Sequence, residues 1–385
     1  MRTALVGRPW LYKDAILRGP GPDAGPFVDL VDENTLPMGT ALYDPDDEFP
    51  IKVISTSRTR DPIGLLRTRL ERALSRRRND LLGADSFRLC HGEGDGIPRL
   101  FVDRFGDGLC IASVTPAMND VAKMLVDPLV DITGARVVVH YSLLDKGDKD
   151  RSKYRQDAPF HAEQVYGDDA KVRFHHGGLI RHADLMQGFH IPALTARFAI
   201  QRYVRRWARG QVLDVMSGFG GFGTQLADAG AKDVLFLDED ADALAALKED
   251  CANNGIAANI RTRAVVPLAG LEQLERDQER FSVIVVHPAE VREPKKQAAS
   301  VENRVFEMHR AALKLVGEGG IYITWPGSTA LNQETFERVL TEAGNRGRKR
   351  LQVLARMQAG PDHPVLVGMS DPSATTLLVR VLSTT

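Results

Sequence analysis

Cysteine is scarce in this chain. Its 385 residues hold three, Cys90, Cys110 and Cys251, and no two share a Cys-x-x-Cys spacing. That excludes a disulfide framework and a thiolate zinc site, and it fits a reducing cytosol. Also missing is any run of about eighteen apolar residues, so no membrane-spanning helix is expected. The start, Met1-Arg2-Thr3-Ala4-Leu5-Val6, is too short for a signal h-region, and a cytoplasmic protein is the expectation. Neither sign of charge dominates, with 50 Lys and Arg against 51 Asp and Glu. The balance is local, however. Residues 51–80 carry nine Lys or Arg against three acids, nine minus three giving a net of about +6.

The most informative stretch is Gln211-Val212-Leu213-Asp214-Val215-Met216-Ser217-Gly218-Phe219-Gly220-Gly221-Phe222-Gly223. An apolar strand ending near Asp214 runs into a glycine turn. Gly218, Gly220 and Gly223 are read as letting the backbone turn tightly and pass close to a ligand. Phe222, Leu226 and Ala227 then begin a helix whose free N–H groups face the bound molecule. A second apolar strand, Val234-Leu235-Phe236-Leu237, ends in Asp238, at the distance expected for a carboxylate that takes a ribose hydroxyl pair. The spacing alone admits a nicotinamide or flavin dinucleotide. Two details favour S-adenosylmethionine. Asp214 stands four residues before the first glycine, where a pyrophosphate needs no acid but a cationic amino group would be met. The unit also begins past residue 200, whereas dinucleotide folds more often open a chain.

A chain this long implies two or three domains. Up to about residue 60, short strands (27–31, 40–43 and 51–54) are cut by Gly and Pro, which reads as a small β-barrel. Leu65, Leu66, Leu70, Ala73, Leu74 and Leu81 predict a helix over 62–82, ringed by Arg67, Arg72, Arg76, Arg77 and Arg78. Strands at 86–90, 99–104 and 109–114, a helix near 117–127 and a strand at 136–141 suggest a compact α+β unit. The charge-dense stretch 143–157 reads as an exposed loop. An amphipathic helix over 194–208 leads into the glycine loop, and strands and helices then alternate as in a doubly wound parallel sheet. The expected domains are 1–75, 76–182 and 183–385.

These residues resemble a family, the PUA-containing class I RNA methyltransferases that modify cytosine C5 in large-subunit ribosomal RNA. Gly7-Arg8-Pro9-Trp10-Leu11-Tyr12 is similar to the opening Gly-His-Pro-Trp motif of the PUA domain. His91-Gly92-Glu93-Gly94-Asp95-Gly96-Ile97-Pro98-Arg99-Leu100-Phe101-Val102-Asp103-Arg104-Phe105-Gly106-Asp107 resembles the hallmark of the central domain. Gln187-Gly188-Phe189 and Arg197 match parts of the segment before the cofactor loop, and Asp362-His363-Pro364 a short C-terminal motif. The resemblance implies an α/β chain: a PUA-like β-barrel, a central α+β domain and a C-terminal Rossmann-like methyltransferase domain. It implies S-adenosylmethionine as cofactor, with Arg197, Asp214, Ser217, Gly218, Phe219, Gly220 and Asp238 in the cofactor site. RNA is the implied partner, ribosomal RNA first; no membrane contact is expected and a homodimer is compatible.

Four departures from the family pattern bear on the chemistry. His287-Pro288-Ala289 stands where Asp-Pro-Pro is usual. His190-Ile191-Pro192-Ala193-Leu194 lacks the acid expected before the loop, leaving Arg197. The third strand of the unit, within 259–266, has no carboxylate. No cysteine follows the fifth strand, where Trp325-Pro326-Gly327-Ser328 is found. Cytosine C5 needs a thiolate at C6 to become nucleophilic, and a serine hydroxyl is far less readily ionised. Methylation of a ring or exocyclic nitrogen would need only positioning and a proton acceptor. Against an active enzyme stands a binding protein that kept the scaffold and lost the chemistry; a dinucleotide oxidoreductase has little beyond the glycine spacing. His175-His176 reads as a turn between strands, with no acid at ligand spacing. Arg76-Arg77-Arg78 reads as a solvated helix end or a phosphate contact, Asp362-His363-Pro364 as a turn or a functional motif, and Phe219 and Trp325 as packing or as stacking partners for a base.

Overall fold

The computed structural model describes residues 9–21, 24–45, 47, 49–81, 84–143, 160–187, 197–286, 288, 293, 295–369 and 375–383. Gly7 and Arg8, residues 144–157, Gly188, Phe189, residues 190–194, His287 and Ala289 lie outside them. The chain forms two compact units.

The first unit spans Met1–His176, Arg181–Ala196 and Pro361–Ser370. It opens with β1 (Trp10–Leu11), β2 (Phe27–Val31), β3 (Pro37–Tyr43) and β4 (Ile51–Ser55), an antiparallel sheet in the order β1-β4-β3-β2. Among the described residues β1 bonds to β4 and β2 to β3, so β1 and β2 are the outer strands of this small sheet. Helix α1 (Pro62–Asp80) starts where the Asp61 carboxylate accepts the Gly64 N–H at 2.8 Å, with Pro62 at the position that tolerates it. Leu66, Leu70 and Leu74, four residues apart, put one buried stripe along it. That stripe shares a core with Phe87 and Leu89 of β5 (Ser86–His91).

The central sheet continues through β6 (Leu100–Phe105), β7 (Gly108–Ser113), β8 (Val137–Leu143) and β9 (Phe160–Tyr166), in sequential order. Only β7 and β8 are parallel, joined by α2 (Pro116–Met124) and α3 (Val126–Thr133). The helix expected over 117–127 is thus two helices. Pro128, which brings no N–H to an i→i−4 bond, can stand only in the first turn of a new one. The hairpin β10 (Lys171–His176) and β11 (Leu179–Asp184) follows. The boundary expected at 75/76 falls inside α1, and the one at 182/183 inside β11. Neither element breaks there, because each keeps its buried face across the position.

The second unit spans Gly177–Ile180, Arg197–Gly360 and Asp371–Thr385. It comprises α4 (Phe198–Val204), β12 (Gln211–Val215), α5 (Gly221–Asp228), β13 (Asp233–Asp238), α6 (Ala241–Asn253), β14 (Asn259–Ala264), α7 (Pro267–Arg276), β15 (Phe281–Val286), α8 (Ala298–Leu315), β16 (Val316–Thr324), α9 (Gln333–Arg346), β17 (Lys349–Met357) and β18 (Thr376–Ser383). The sheet order is β14-β13-β12-β15-β16-β18-β17. Side chains alternate along each strand, so Leu213, Leu235 and Ile284 pack with α7, α8 and α9 on one face, while Val212, Val234 and Val283 pack with α4, α5 and α6 on the other. The expected parallel alternation holds through β16. It fails at the end, where β18 runs antiparallel to both β16 and β17. Among the described residues no helix separates those last two strands, so no right-handed crossover returns the chain to a parallel position.

Candidate functional site

The strand order reverses at β12, with β13 and β14 laid to one side and β15 and β16 to the other. In open α/β sheets the crevice outside the strand carboxyl ends at such a switch point is the ligand site. The glycine loop occupies that position. Beyond β12, Met216 adopts φ of 59°, and Gly218 and Gly220 follow at 49° and 72°, so the turn rests on left-handed backbone that glycine takes without strain. Met216 and Ser217 donate their N–H groups to the Leu237 carbonyl at 2.8 and 3.2 Å, which ties the loop to the end of β13.

Asp214 and Asp238 brace the loop from two strands. The Asp214 Oδ2 accepts the Gly223 N–H at 2.8 Å, while its Oδ1 is buried without a partner. Burial is the main cause that lifts this carboxyl to about 7; the Asp238 charge adds to the rise and the Gly223 N–H opposes it. Asp238 accepts the Gly218 N–H at 2.7 Å on one oxygen and the Asp240 N–H at 2.9 Å on the other. Ser217 is buried and its Oγ is likewise unpartnered. Buried polar atoms without partners are rare and call for an explanation. Here two of them meet at the switch point, one near the end of β12 and one on the loop that follows.

The other predicted residues are placed differently. Phe219 is buried within the loop. Gly223 serves packing and not ligand approach: a Cβ there would overlap the Phe236 ring and lie 2.9 Å from the Asp214 carboxylate, whereas one at Gly218 would meet nothing within 4 Å. Arg197 is 4% exposed. Its guanidinium lies 4.6 Å from the Trp325 ring centroid and donates to the Thr376 hydroxyl at 3.3 Å. Trp325 in turn packs against Phe222 of α5. Arg197 is therefore seated by the aromatic that follows β16, one layer of packing away from the loop.

Beyond β15 and β16 the structure shows groups that sequence reasoning missed. The Ser328 hydroxyl donates to Glu293 at 2.5 Å, and Arg304 pairs with the same carboxylate at 2.9 Å. Burial would raise Glu293, but Ser328 and Arg304 outweigh it and hold it below the usual carboxylate range. Thr324 closes β16 with a second buried, unpartnered hydroxyl. A polar residue ending an apolar strand is the signal that could have marked it. Ser328 is thus committed as a donor and no thiol replaces it. Cys251 is buried on α6, and burial pushes the Cys90 and Cys110 thiols well up, so neither supplies a thiolate. β14 brings Arg261 and Arg263 and no carboxylate; Arg261 pairs with Asp233 at 2.9 Å and with Glu279 at 3.1 Å. Among the described residues no cluster could hold a metal ion.

Two other expectations resolve in the first unit. His175 and His176 end β10 and do not form the turn, which is Gly177-Gly178. His175 pairs with Asp85 at 2.8 Å, a partner 90 residues away that local spacing could not show. Arg77 is buried and makes a two-pronged pair with Asp95 at 2.7 and 2.6 Å, because the helix turns this one member of the arginine run inward. Arg76 reaches the same Asp95 at 2.8 Å, and Arg67 pairs with Glu71 and Asp131, so these arginines are compensated locally.

Family comparison agrees with this geometry. Residues 195–344 match the methyltransferase small domain and residues 2–56 the PUA-like domain. The chain joins a PUA-like domain to a Rossmann-like methyltransferase domain. Similar curated relatives of this PUA–methyltransferase chain are both called ribosomal RNA large subunit methyltransferase I. That of Cronobacter sakazakii is 26% identical over 95% of this chain and 93% of its own. That of Escherichia coli UTI89 is 24% identical over the same shares. Among solved structures, a methyltransferase complexed with SAH superposes with a TM-score of 0.78 at 15% identity, covering 97% of this chain and 95% of its own. A SAM-dependent methyltransferase from Streptococcus mutans gives 0.73 at 15%, covering 94% and 93%. These likenesses extend the fold over nearly the whole chain.

Proposed function

We propose that this PUA–methyltransferase chain transfers a methyl group from S-adenosylmethionine to RNA, with ribosomal RNA of the large subunit as substrate. The observation that carries the cofactor assignment is the pair of buried, unpartnered atoms at the switch point, Asp214 Oδ1 and Ser217 Oγ. An ammonium group would satisfy the first and hold the carboxylate ionised against its burial. Asp238 keeps lone pairs on both oxygens after its two backbone contacts, enough to accept from a hydroxyl pair. S-adenosylmethionine presents both features, together with an electrophilic methyl on sulfonium. Arg197 holds Trp325 and the turn after β16, where a target base would be received. The names of the relatives, which cover nearly the full chain, support RNA as the substrate.

With each cysteine buried, attack through a cysteine adduct at cytosine C6 has no nucleophile here. The target atom we propose is one that is nucleophilic by itself, a ring or exocyclic nitrogen. The part before α1, with that helix, would contact RNA, in the cytoplasm. A homodimer is read by light scattering of the same sample, where a mass twice that of one chain supports it.

Calorimetric titration with S-adenosylmethionine tests the reading, followed by methyl transfer to total RNA and digestion to nucleosides. Saturable binding and a methylated nitrogen support it. No binding at millimolar ligand would sink it, and binding without transfer assigns the chain to a scaffold that retains the cofactor alone.

A further inference from the structure

Two motifs that methyl transfer does not use meet in the first unit, although 285 positions separate Arg77 from Asp362. The segment Pro361–Ser370 belongs to that unit, while the chain on either side of it forms β17 and β18. Its Asp362 and His363 are 4% and 7% exposed, so these two residues anchor a segment whose Pro361 and Leu366–Gly368 stay exposed.

Asp362 is held through both its carbonyl and its carboxylate, while His363 Nε2 is buried without a partner. The Asp362 carbonyl accepts from Arg77 Nη2 at 2.9 Å, and the same guanidinium grips Asp95. The Asp362 carboxylate accepts the Arg88 N–H at 3.1 Å and pairs with His363 Nδ1 at 3.0 Å. The His363 ring lies 4.9 Å from that of His91. Gly94 allows the closest approach: a Cβ there would collide with the Pro364 carbonyl oxygen. It is the backbone N–H of Arg88 that meets Asp362, for its guanidinium is held by Asp103 at 3.0 and 2.8 Å. Asp95 accepts the His91 N–H at 2.8 Å, which closes the 3₁₀ turn Gly92–Asp95 into its receiving shape. Burial would raise Asp362, but the His363 and Arg88 contacts outweigh it and keep the carboxyl below its ordinary range.

We infer that His91–Gly96, with Arg77 and Arg88, is a recognition site for the chain's own Asp362-His363-Pro364. The ligand is an acid–imidazole–proline segment supplied in cis. The Arg77 guanidinium, the backbone N–H of Arg88 and a side-chain-free Gly94 are the features that select it. This assigns the two motifs to each other and does not rest on the methyl-transfer reading.

Hydrogen exchange of the full chain, read by mass spectrometry, tests the assignment with Gly94→Ala and Asp362→Ala. Alanine is tolerated in a 3₁₀ turn, so Gly94→Ala should eject the segment and leave the receptor folded. The expected result in each variant is exchange over 361–370 faster by about tenfold or more, with β6 and β7 unchanged and, in β5, only the Arg88 amide freed by loss of its acceptor. Unchanged protection of 361–370 in Gly94→Ala overturns the inference. So does an equal loss of protection across β5 to β7 in both variants, since the segment would then have no separable site.

Discussion

Asp214 holds a carboxylate where water is excluded, with one oxygen satisfied by Gly223 and the other by nothing within the chain. Its folded value, about 7, stands above the ordinary 3.8. The folded state therefore binds the extra proton, and stability contributed by this group falls as pH rises from about 4 through 7. Asp214→Asn removes that penalty. Without cofactor, the variant is expected to melt higher than the native chain at pH 8, with the gap closing toward pH 4, as scanning calorimetry would show. The same substitution should weaken S-adenosylmethionine binding by about tenfold or more, the loss of one charge-assisted contact. In the native chain, affinity should fall as pH drops below about 7, because the carboxyl must then lose a proton to meet the ammonium. An affinity flat from pH 6 to 8 would remove Asp214 from the cofactor site.

The site is an assembly of two strand ends and one helix start, and its tolerances are set by how closely α5 lies on β13. Gly223 is the contact point, flanked by Phe236 and by the Asp214 carboxylate. Gly223→Ala should destabilise the unit by about 1–3 kcal/mol through overpacking, measured by urea unfolding. Gly218→Ala meets no neighbour, and its cost should come only from its positive φ. The loop was legible in the sequence because left-handed turns select glycine locally, and the strand before it is a continuous apolar run. Arg77 was not legible, since the triplet Arg76-Arg77-Arg78 is uniform and only the phase of α1 against β5 turns one member inward. The antiparallel β18 escaped for a similar reason. Strand propensity names a strand but not its direction, which follows from the absence of a crossover helix.

Across the molecule, burial has fixed several histidines in the neutral form. His91 is held at about 2 by burial with Arg88, His363 and Arg77 adding to it, His309 at about 3 by burial alone, and His140 at about 4 by burial and Lys123. Each folded value lies below the unfolded 6.5. Their contribution is therefore whole above 6.5 and is lost as pH falls, by up to about 1.4 kcal/mol per pH unit for each histidine. Urea unfolding at pH 7, 6, 5 and 4 should show a steepening loss on the acid side, opposed by Asp214. A stability that rises continuously down to pH 4 would contradict the neutral histidines. The same scale governs the embedded Asp362-His363-Pro364 segment, whose partners come from α1, β5 and the turn after it.

The chain by itself determined what depends on local conformation and pattern: the glycine turn between β12 and α5, the acids at Asp214 and Asp238, the helix of α1, the apolar strands, and the lack of a usable cysteine. Each follows from steric preference or from the period of apolar residues, which neighbours in sequence can express. Only the tertiary structure decided which polar atoms end up buried without partners, which arginine faces inward, how the last two strands run, and that Gly94 receives Pro364. Those depend on pairs brought together from distant positions, and dehydration at such contacts sets their energies.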